Sequence, residues 1–253
     1  MGIDYRPHFF RFFQWQLGMG YGERLPTLSE LYGFYLFNAY DGYDYLGNPD
    51  LKPERALSAN LTTIAYFRDN LQVSCSQYFS LVYGYILGLH DTILPKLNMY
   101  ALGSKTYWNN NHAMVFNSDL IIRYSISNRL SVINTSKYSY GVLYNGYPLP
   151  LMPPFKAITS IGYQWERFKV NIENETATGQ KRTNPFYGES PSRAFSLLHT
   201  NLSYELALPN GQFQFNLSIS NLLNAVYKEH LDWGNHSRPG RNVAFGLVFK
   251  GGR

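Results

Sequence analysis

Apolar and polar residues alternate with a period of two along most of this chain. Phe213, Phe215, Leu217 and Ile219 are interleaved with Gln214, Asn216, Ser218 and Ser220. Phe168, Val170 and Ile172 alternate with Lys169, Asn171 and Glu173, and Phe13, Trp15, Leu17, Met19 and Tyr21 with Gln14, Gln16, Gly18 and Gly20. Val243, Phe245, Leu247 and Phe249 repeat the pattern near the end. A strand sends successive side chains to opposite faces, so each run has one apolar and one polar side. A helix would spread the polar residues around its surface. The pattern predicts about ten strands, at approximately 9–22, 54–67, 71–83, 107–126, 130–140, 155–165, 168–180, 194–206, 212–222 and 241–249.

The predicted connections alternate in length. Arg68-Asp69-Asn70, Ser127-Asn128-Arg129, Glu166-Arg167 and Leu208-Pro209-Asn210-Gly211 are short turns, the last with an Asn-Gly pair suited to positive φ. Long connections lie between them, at approximately 23–53, 84–106, 141–154, 181–193 and 223–240. Short turns at one end and long loops at the other are the habit of an outer-membrane barrel, with turns periplasmic and loops extracellular. Strands of this length can cross a membrane at a tilt. A soluble β-sandwich also alternates, but its strands are usually shorter.

Composition agrees with a two-faced sheet. Of 253 residues, 17% are aromatic, 22 of them Tyr, and only 15% are charged. Tyr and Trp suit the membrane–water boundary, having apolar rings and polar tips. The net charge of +5 comes from scattered Lys and Arg, so no nucleic-acid partner is expected. A single cysteine, Cys75, excludes an internal disulfide and a Cys-based zinc cage. No apolar run reaches the length of a membrane helix. The start, Met1-Gly2-Ile3-Asp4-Tyr5-Arg6, has no signal-peptide core, so the natural N-terminus is expected elsewhere or the chain is a fragment.

Three segments carry a family resemblance. Arg24-Leu25-Pro26-Thr27-Leu28-Ser29-Glu30-Leu31-Tyr32 resembles the R-x-P-T-x-x-E-L-Y segment of TonB-dependent receptors. Gly47-Asn48-Pro49-Asp50-Leu51-Lys52-Pro53-Glu54 resembles their G-N-P-x-L-K-P-E motif, which opens a strand; its prolines deny the ladder a donor until Pro53 is passed. Asn221-Leu222-Leu223-Asn224, Tyr227 and Arg238-Pro239-Gly240-Arg241 resemble the N-L-x-N-x-x-Y and R-P-G-R ending. Pro148-Leu149-Pro150-Leu151-Met152-Pro153-Pro154 is similar to a loop-to-strand junction of the family.

The resemblance covers the whole chain, residues 1–253, as one domain. It implies an all-β antiparallel transmembrane barrel segment, about ten strands from the C-terminal part of a 22-stranded barrel, without the family's plug domain. It implies a cell outer membrane location, membrane lipids as surroundings, and TonB as a partner reached only through the missing plug. The function implied is active uptake of a scarce nutrient: a ferric siderophore, haem, cobalamin or a metal ion. Barrels of this class usually end on an aromatic residue, whereas Phe249 is followed by Lys250-Gly251-Gly252-Arg253.

Candidate ligand contacts lie in the predicted loops. The aromatic segment 32–46 offers Tyr35, Phe37, Tyr40, Tyr43 and Tyr45, which could stack on a planar ligand or anchor the loop. His90, Met99 and His230 offer nitrogen and sulfur ligands without the spacing of a metal motif, so metal binding stays open. Asp119, Arg123, Lys169, Glu173 and Glu175 are expected to face the lumen, along a substrate path or against a plug. No catalytic motif is present and no cofactor is implied, so an enzyme is not expected. The alternatives are a self-contained ten-stranded channel or hydrolase, for which His230 with Asp232 is a thin basis, a non-functional receptor remnant, and a soluble β-sandwich.

Overall fold

A computed structural model of the protein describes residues 2–5, 12–39, 41–232 and 236–251. In chain order the elements are β1 (Gly2–Tyr5), β2 (Phe13–Arg24), α1 (Leu28–Tyr32), β3 (Leu36–Asn38), β4 (Tyr43–Leu46), β5 (Glu54–Phe67), β6 (Leu71–Tyr83), β7 (Ile86–Asp91) and β8 (Ser104–Asn109). There follow β9 (His112–Ser125), β10 (Leu130–Leu143), β11 (Lys156–Trp165), β12 (Phe168–Ala177), β13 (Phe195–Leu208), β14 (Gly211–Ser220) and β15 (Asn242–Gly251).

Eleven strands form one sheet in the order β1-β2-β5-β6-β9-β10-β11-β12-β13-β14-β15. Each strand runs antiparallel to its neighbours, as hairpin connections require. The sheet is an open arc with β1 and β15 as end strands. Each of the ten predicted spans holds one of its strands, and β1 is additional. Residues 9–11 of the first span lie outside the described residues.

Register sorts the side chains by face. Asp119 pairs with Lys137 and Lys137 with Lys156, so these three share a face. Glu173 pairs with His199, and Asn201 with Ser218, on that same face. Arg123, Lys169 and Glu175 also belong to it, by their even spacing from Asp119 and Glu173. This polar face is the hollow side: Ser131, Gln164, Asn171, Asn201, Ser203 and Asn216 line a cavity of about 900 Å³ at the turn end. The other face carries Leu17, Leu61, Phe79, Ile122, Ile161, Leu202, Leu217 and Phe245. A one-residue slip anywhere would exchange the two sets, so the pattern itself holds the register. Arg68 and Glu166 adopt left-handed φ values of 56° and 50° in the tight turns.

Two predicted loops contain structure of their own. A second sheet, β3-β4-β8-β7, is assembled from the connections β2–β5 and β6–β9, with β4 and β8 parallel. The predicted strand at 107–126 is therefore two strands, β8 and β9. The break has a physical cause. Asn109 Nδ2 donates to Gly84 O at 2.7 Å and Lys52 O at 2.9 Å, and Asn110 N donates to Tyr85 O at 2.7 Å. These bonds draw the chain off the large sheet and into the loop sheet. A small core of Leu87, Ala113, Leu143 and Leu149 joins the two sheets at the loop end.

Candidate functional site

The loop end is built from the sequence motifs outward. Thr27 caps α1 through a reciprocal box: its Oγ1 accepts from Glu30 N at 3.2 Å, and Glu30 Oε2 accepts from Thr27 N at 2.7 Å. Arg24 then bridges Glu30 at 2.9 Å and Glu54 at 2.7 Å. Glu54 Oε1 also accepts from Ile86 N at 2.7 Å, which ties β5 to β7. The second motif docks on the first: Gly47 N donates to Gly33 O at 2.7 Å and Asn48 N to Glu30 O at 2.8 Å. Asn48 Nδ2 reaches Tyr107 O at 3.0 Å, and Lys52 N reaches Asn109 Oδ1 at 2.8 Å. Leu51 is buried, Tyr32 exposed, and Pro53 directly precedes β5. Motif residues distant in sequence thus form one corner.

Beside this corner lies a buried cation. Lys105, on β8, has its Nζ 2.5 Å from Asp41 Oδ2 and 2.5 Å from Tyr187 O. The ammonium also sits 3.8 Å from the centroid of the Tyr187 ring and 4.3 Å from that of Tyr43. Burial pulls the Lys105 pKa below the ordinary lysine value, against the opposing pull of Asp41. Burial also raises Tyr45, and pushes Tyr107 up to about 12. Next to Lys105 in the fold, Asp44 Oδ2 accepts from Leu97 N and Asn98 N at 2.8 Å each, fixing the loop between β7 and β8.

Glu189 links three further connections. Its Oε1 accepts from Leu151 N at 2.8 Å and meets His230 Nε2 at 2.8 Å; its Oε2 accepts from Asn184 N at 3.0 Å. Asn184, itself buried, donates to Pro148 O at 2.8 Å. His230 Nδ1 is buried with no hydrogen-bond partner in the structure.

The last motif staples the connection that follows β14. Asn221 and Asn224 take left-handed φ values of 50° and 54°, which Asn tolerates better than most residues. The Asn221 side chain accepts from Ala225 N and donates to Ala225 O, both at 2.8 Å. Asn224 Oδ1 accepts from Arg241 N at 2.8 Å, and Tyr227 O from Arg238 N at 2.9 Å. Leu222 N donates to Leu198 O at 2.7 Å, and the Tyr227 ring packs 4.8 Å from Phe195. Arg238 pairs with Asp232 at 2.5 Å; that bond holds the Asp232 carboxyl below the usual range. Pro239 and Gly240 complete the return to β15.

Between this connection and the polar face lies a cavity of about 420 Å³. Asp119, Lys137 and Lys156 form its wall, and Pro153, Pro154, Glu229 and His230 its opposite side. Lys156 pairs with Glu175 at 2.6 Å and with Glu229 at 3.5 Å, so it joins wall to loop. Lys137 has no carboxylate at ion-pair distance among the described residues. The arrangement can hold a polar solute at the loop end by charges of both signs.

The eight candidate ligand contacts separate. Tyr43 and Tyr45 lie against Lys105, and Tyr45 is buried. His90 stacks edge-on to Tyr43 at 5.5 Å. His230 lines the 420 Å³ cavity, while Phe37 and Met99 are exposed. Tyr35 takes a left-handed φ of 49° beside β3. Tyr40 lies outside the described residues. Lys105, Asp41, Asp44 and Glu189 were missed by sequence reasoning. Among the described residues, no group of three His, Cys, Asp or Glu side chains could hold a metal ion.

The family model described as TonB dependent receptor-like, beta-barrel matches residues 2–222. No curated protein matches. Among solved structures, the copper transporter OprC superposes with a TM-score of 0.79 at 19% identity, covering 99% of this chain and 38% of that one. The ferric enterobactin receptor PfeA from Pseudomonas aeruginosa gives 0.74 at 15% identity, with 99% and 40% covered. The siderophore receptor PirA from Acinetobacter baumannii gives 0.71 at 14% identity, with 99% and 40% covered. The chain spans about two fifths of the length of these structures, and at such identities the likeness is one of fold.

Proposed function

The chain belongs to the family of TonB-dependent receptor-like β-barrels, and from that premise we propose that it forms the C-terminal part of a 22-stranded outer-membrane receptor barrel. The receptor takes up a scarce nutrient across the outer membrane, with energy delivered through TonB by way of a plug. The observation that carries this reading is the sorting of side chains by the sheet: apolar residues on one face, polar and charged residues lining the cavities of the other. A sheet of that kind separates lipid from a wet lumen.

The ligand enters at the loop end. The cavity between Lys137, Lys156, Glu229 and His230 supports a contact there before passage. Aromatic rings at Tyr35, Phe37 and Tyr43, with His90 and Met99, add contacts for a planar or metal-bearing solute. The substrate class is a metal ion or a metal chelate, in line with the copper, siderophore and ferric enterobactin named for the structural neighbours.

The test is uptake in cells carrying or lacking the gene. Labelled ferric siderophores, haem, cobalamin and copper are supplied in turn under limitation of each. Loss of one energy-dependent uptake in the deletion strain, with the protein in the outer-membrane fraction, is the expected result. Unchanged uptake of all four, or recovery of the protein in the soluble fraction, overturns the reading.

A further inference from the structure

The wall of the 420 Å³ cavity is a single row across five adjacent strands. Asp119 on β9 is the register partner of Lys137 on β10, Lys137 of Lys156 on β11, Lys156 of Ala177 on β12, and Ala177 of Phe195 on β13. Neighbours in the row stand about 4.8 Å apart across the sheet. All five line the cavity. In order they read acid, base, base, small apolar, large apolar. The row therefore has a charged end and an apolar end.

The charged end does not satisfy itself. Lys156 is committed to Glu175 and Glu229. Asp119 and Lys137 lie opposite each other, yet their side chains make no ion pair and no hydrogen bond among the described residues. Across the cavity from them stands His230, its side chain 2% exposed. The Glu189 oxygen that meets His230 already accepts from Leu151 N, so His230 supplies the donor. A neutral ring then carries its proton on Nε2 and leaves Nδ1 a bare acceptor. That Nδ1 is buried and has no hydrogen-bond partner in the structure. A buried acceptor without a donor is unfavourable, and a donor on a bound solute relieves it. Three unmet groups thus border one cavity. Their complement is an ammonium for Asp119, a carboxylate for Lys137 and an N–H for His230 Nδ1, with an apolar group over Ala177 and Phe195. A bare metal cation offers nothing to Lys137, and a wholly anionic chelate is repelled by Asp119.

We propose that this cavity is a subsite for an aminocarboxylate: a solute, or the chelator around a metal, that carries an ammonium and a carboxylate beside an apolar group. The ammonium lies toward β9, the carboxylate toward β10 and the apolar group toward β13. The inference rests on the receptor reading above and names the chemistry that its ligand presents at the loop end. Leucyl-leucine, which joins a zwitterion to apolar side chains, is titrated calorimetrically into the full receptor in detergent. N-acetyl-leucyl-leucine, which keeps only the carboxylate, and leucyl-leucinamide, which keeps only the ammonium, are titrated beside it. The zwitterion should bind about tenfold more tightly than either derivative, as the loss of one charge-assisted contact requires. Asp119→Asn should erase the preference over the acetylated probe, and Lys137→Gln the preference over the amide. The exchange of Asp119→Lys together with Lys137→Asp restores both charges in reverse order and should recover the preference, which separates a lost contact from a misfolded barrel. Equal affinity for the three probes, or a preference that survives both single substitutions, overturns the subsite. Uptake of one of the four solutes by cells, with no binding of leucyl-leucine to the receptor, strikes the subsite and leaves the receptor reading standing. No uptake of any of them, with the preference intact, strikes the receptor reading and leaves the subsite.

Discussion

The ammonium of Lys105 and the carboxylate of Asp41 meet at 2.5 Å with side chains 0% and 4% exposed, although 64 residues separate them in the sequence. Removing one partner leaves a buried charge uncompensated, at a cost of about 3–5 kcal/mol. Asp41→Asn should therefore loosen the loop sheet more than a substitution at the exposed Leu102. Hydrogen exchange at 36–46 and 86–109 measures this. The double variant Lys105→Met with Asp41→Leu, which removes both charges, should recover much of the protection; if it exchanges as fast as Asp41→Asn, the pair is not what holds the sheet.

Gly47 shows why a motif glycine is fixed. A Cβ there would stand 2.6 Å from the backbone of Leu31, Tyr32 and Gly33, and backbone cannot yield as a flexible side chain does. Gly47→Ala should cost about 1–3 kcal/mol, as overpacking does. Thr27→Ala, which removes only the cap of a five-residue helix, should cost about 1 kcal/mol. Urea unfolding followed by Trp fluorescence ranks the two. A larger loss in Thr27→Ala would show that the corner tolerates backbone displacement.

The large sheet was legible in the sequence because its two faces meet different surroundings. Phe213 to Ser220 alternates without a fault, so both the strand and its polar side could be read. The loop sheet was not legible. β3 has three residues and β4 four, too few to display a period. The parallel pairing of β4 with β8 joins Asp44 to Ser104 through no local signal. The break at Asn110 was hidden because its causes, Lys52 O, Gly84 O and Tyr85 O, come from other segments. The motifs fared differently: Arg24, Glu30, Asn48 and Glu54 could be singled out from their order, but not that they would converge. Lys105 and Glu189 sit in unremarkable sequence, and only the loops that enclose them make them buried.

Glu189 accepts from three connections at once, so its loss should be felt across all of them. Glu189→Ala strands Leu151 N, Asn184 N and His230 together. Protease nicking within 144–155, 178–194 and 221–232 should rise in parallel. Glu189→Gln keeps an acceptor oxygen and should show about a third of the effect or less. Nicking confined to 178–194 in Glu189→Ala would mean that the three connections are held independently.

Asp232 gives the connection after β14 an acid limit. Its hydrogen bond with Arg238, at 2.5 Å, holds the carboxyl below its ordinary value. An unfolded chain would bind the proton at about 3.9. Between that value and the lower folded one, the unfolded form carries more protons, so stability falls as pH falls. The contribution is complete above pH 4, is lost as pH drops through the folded value, and is gone below it. The Arg238 side chain is 45% exposed, so the effect is small and weakens in salt. Protection from hydrogen exchange at 221–232 and 236–241, taken relative to the intrinsic rate at each pH, should therefore fall on acidification below about pH 4, more in low salt than in high. Asp232→Asn should show the faster exchange already at pH 7 and lose the acid step. An acid step that survives in Asp232→Asn would assign it to another carboxylate, with Glu229, 4.0 Å from Arg238, the next to substitute.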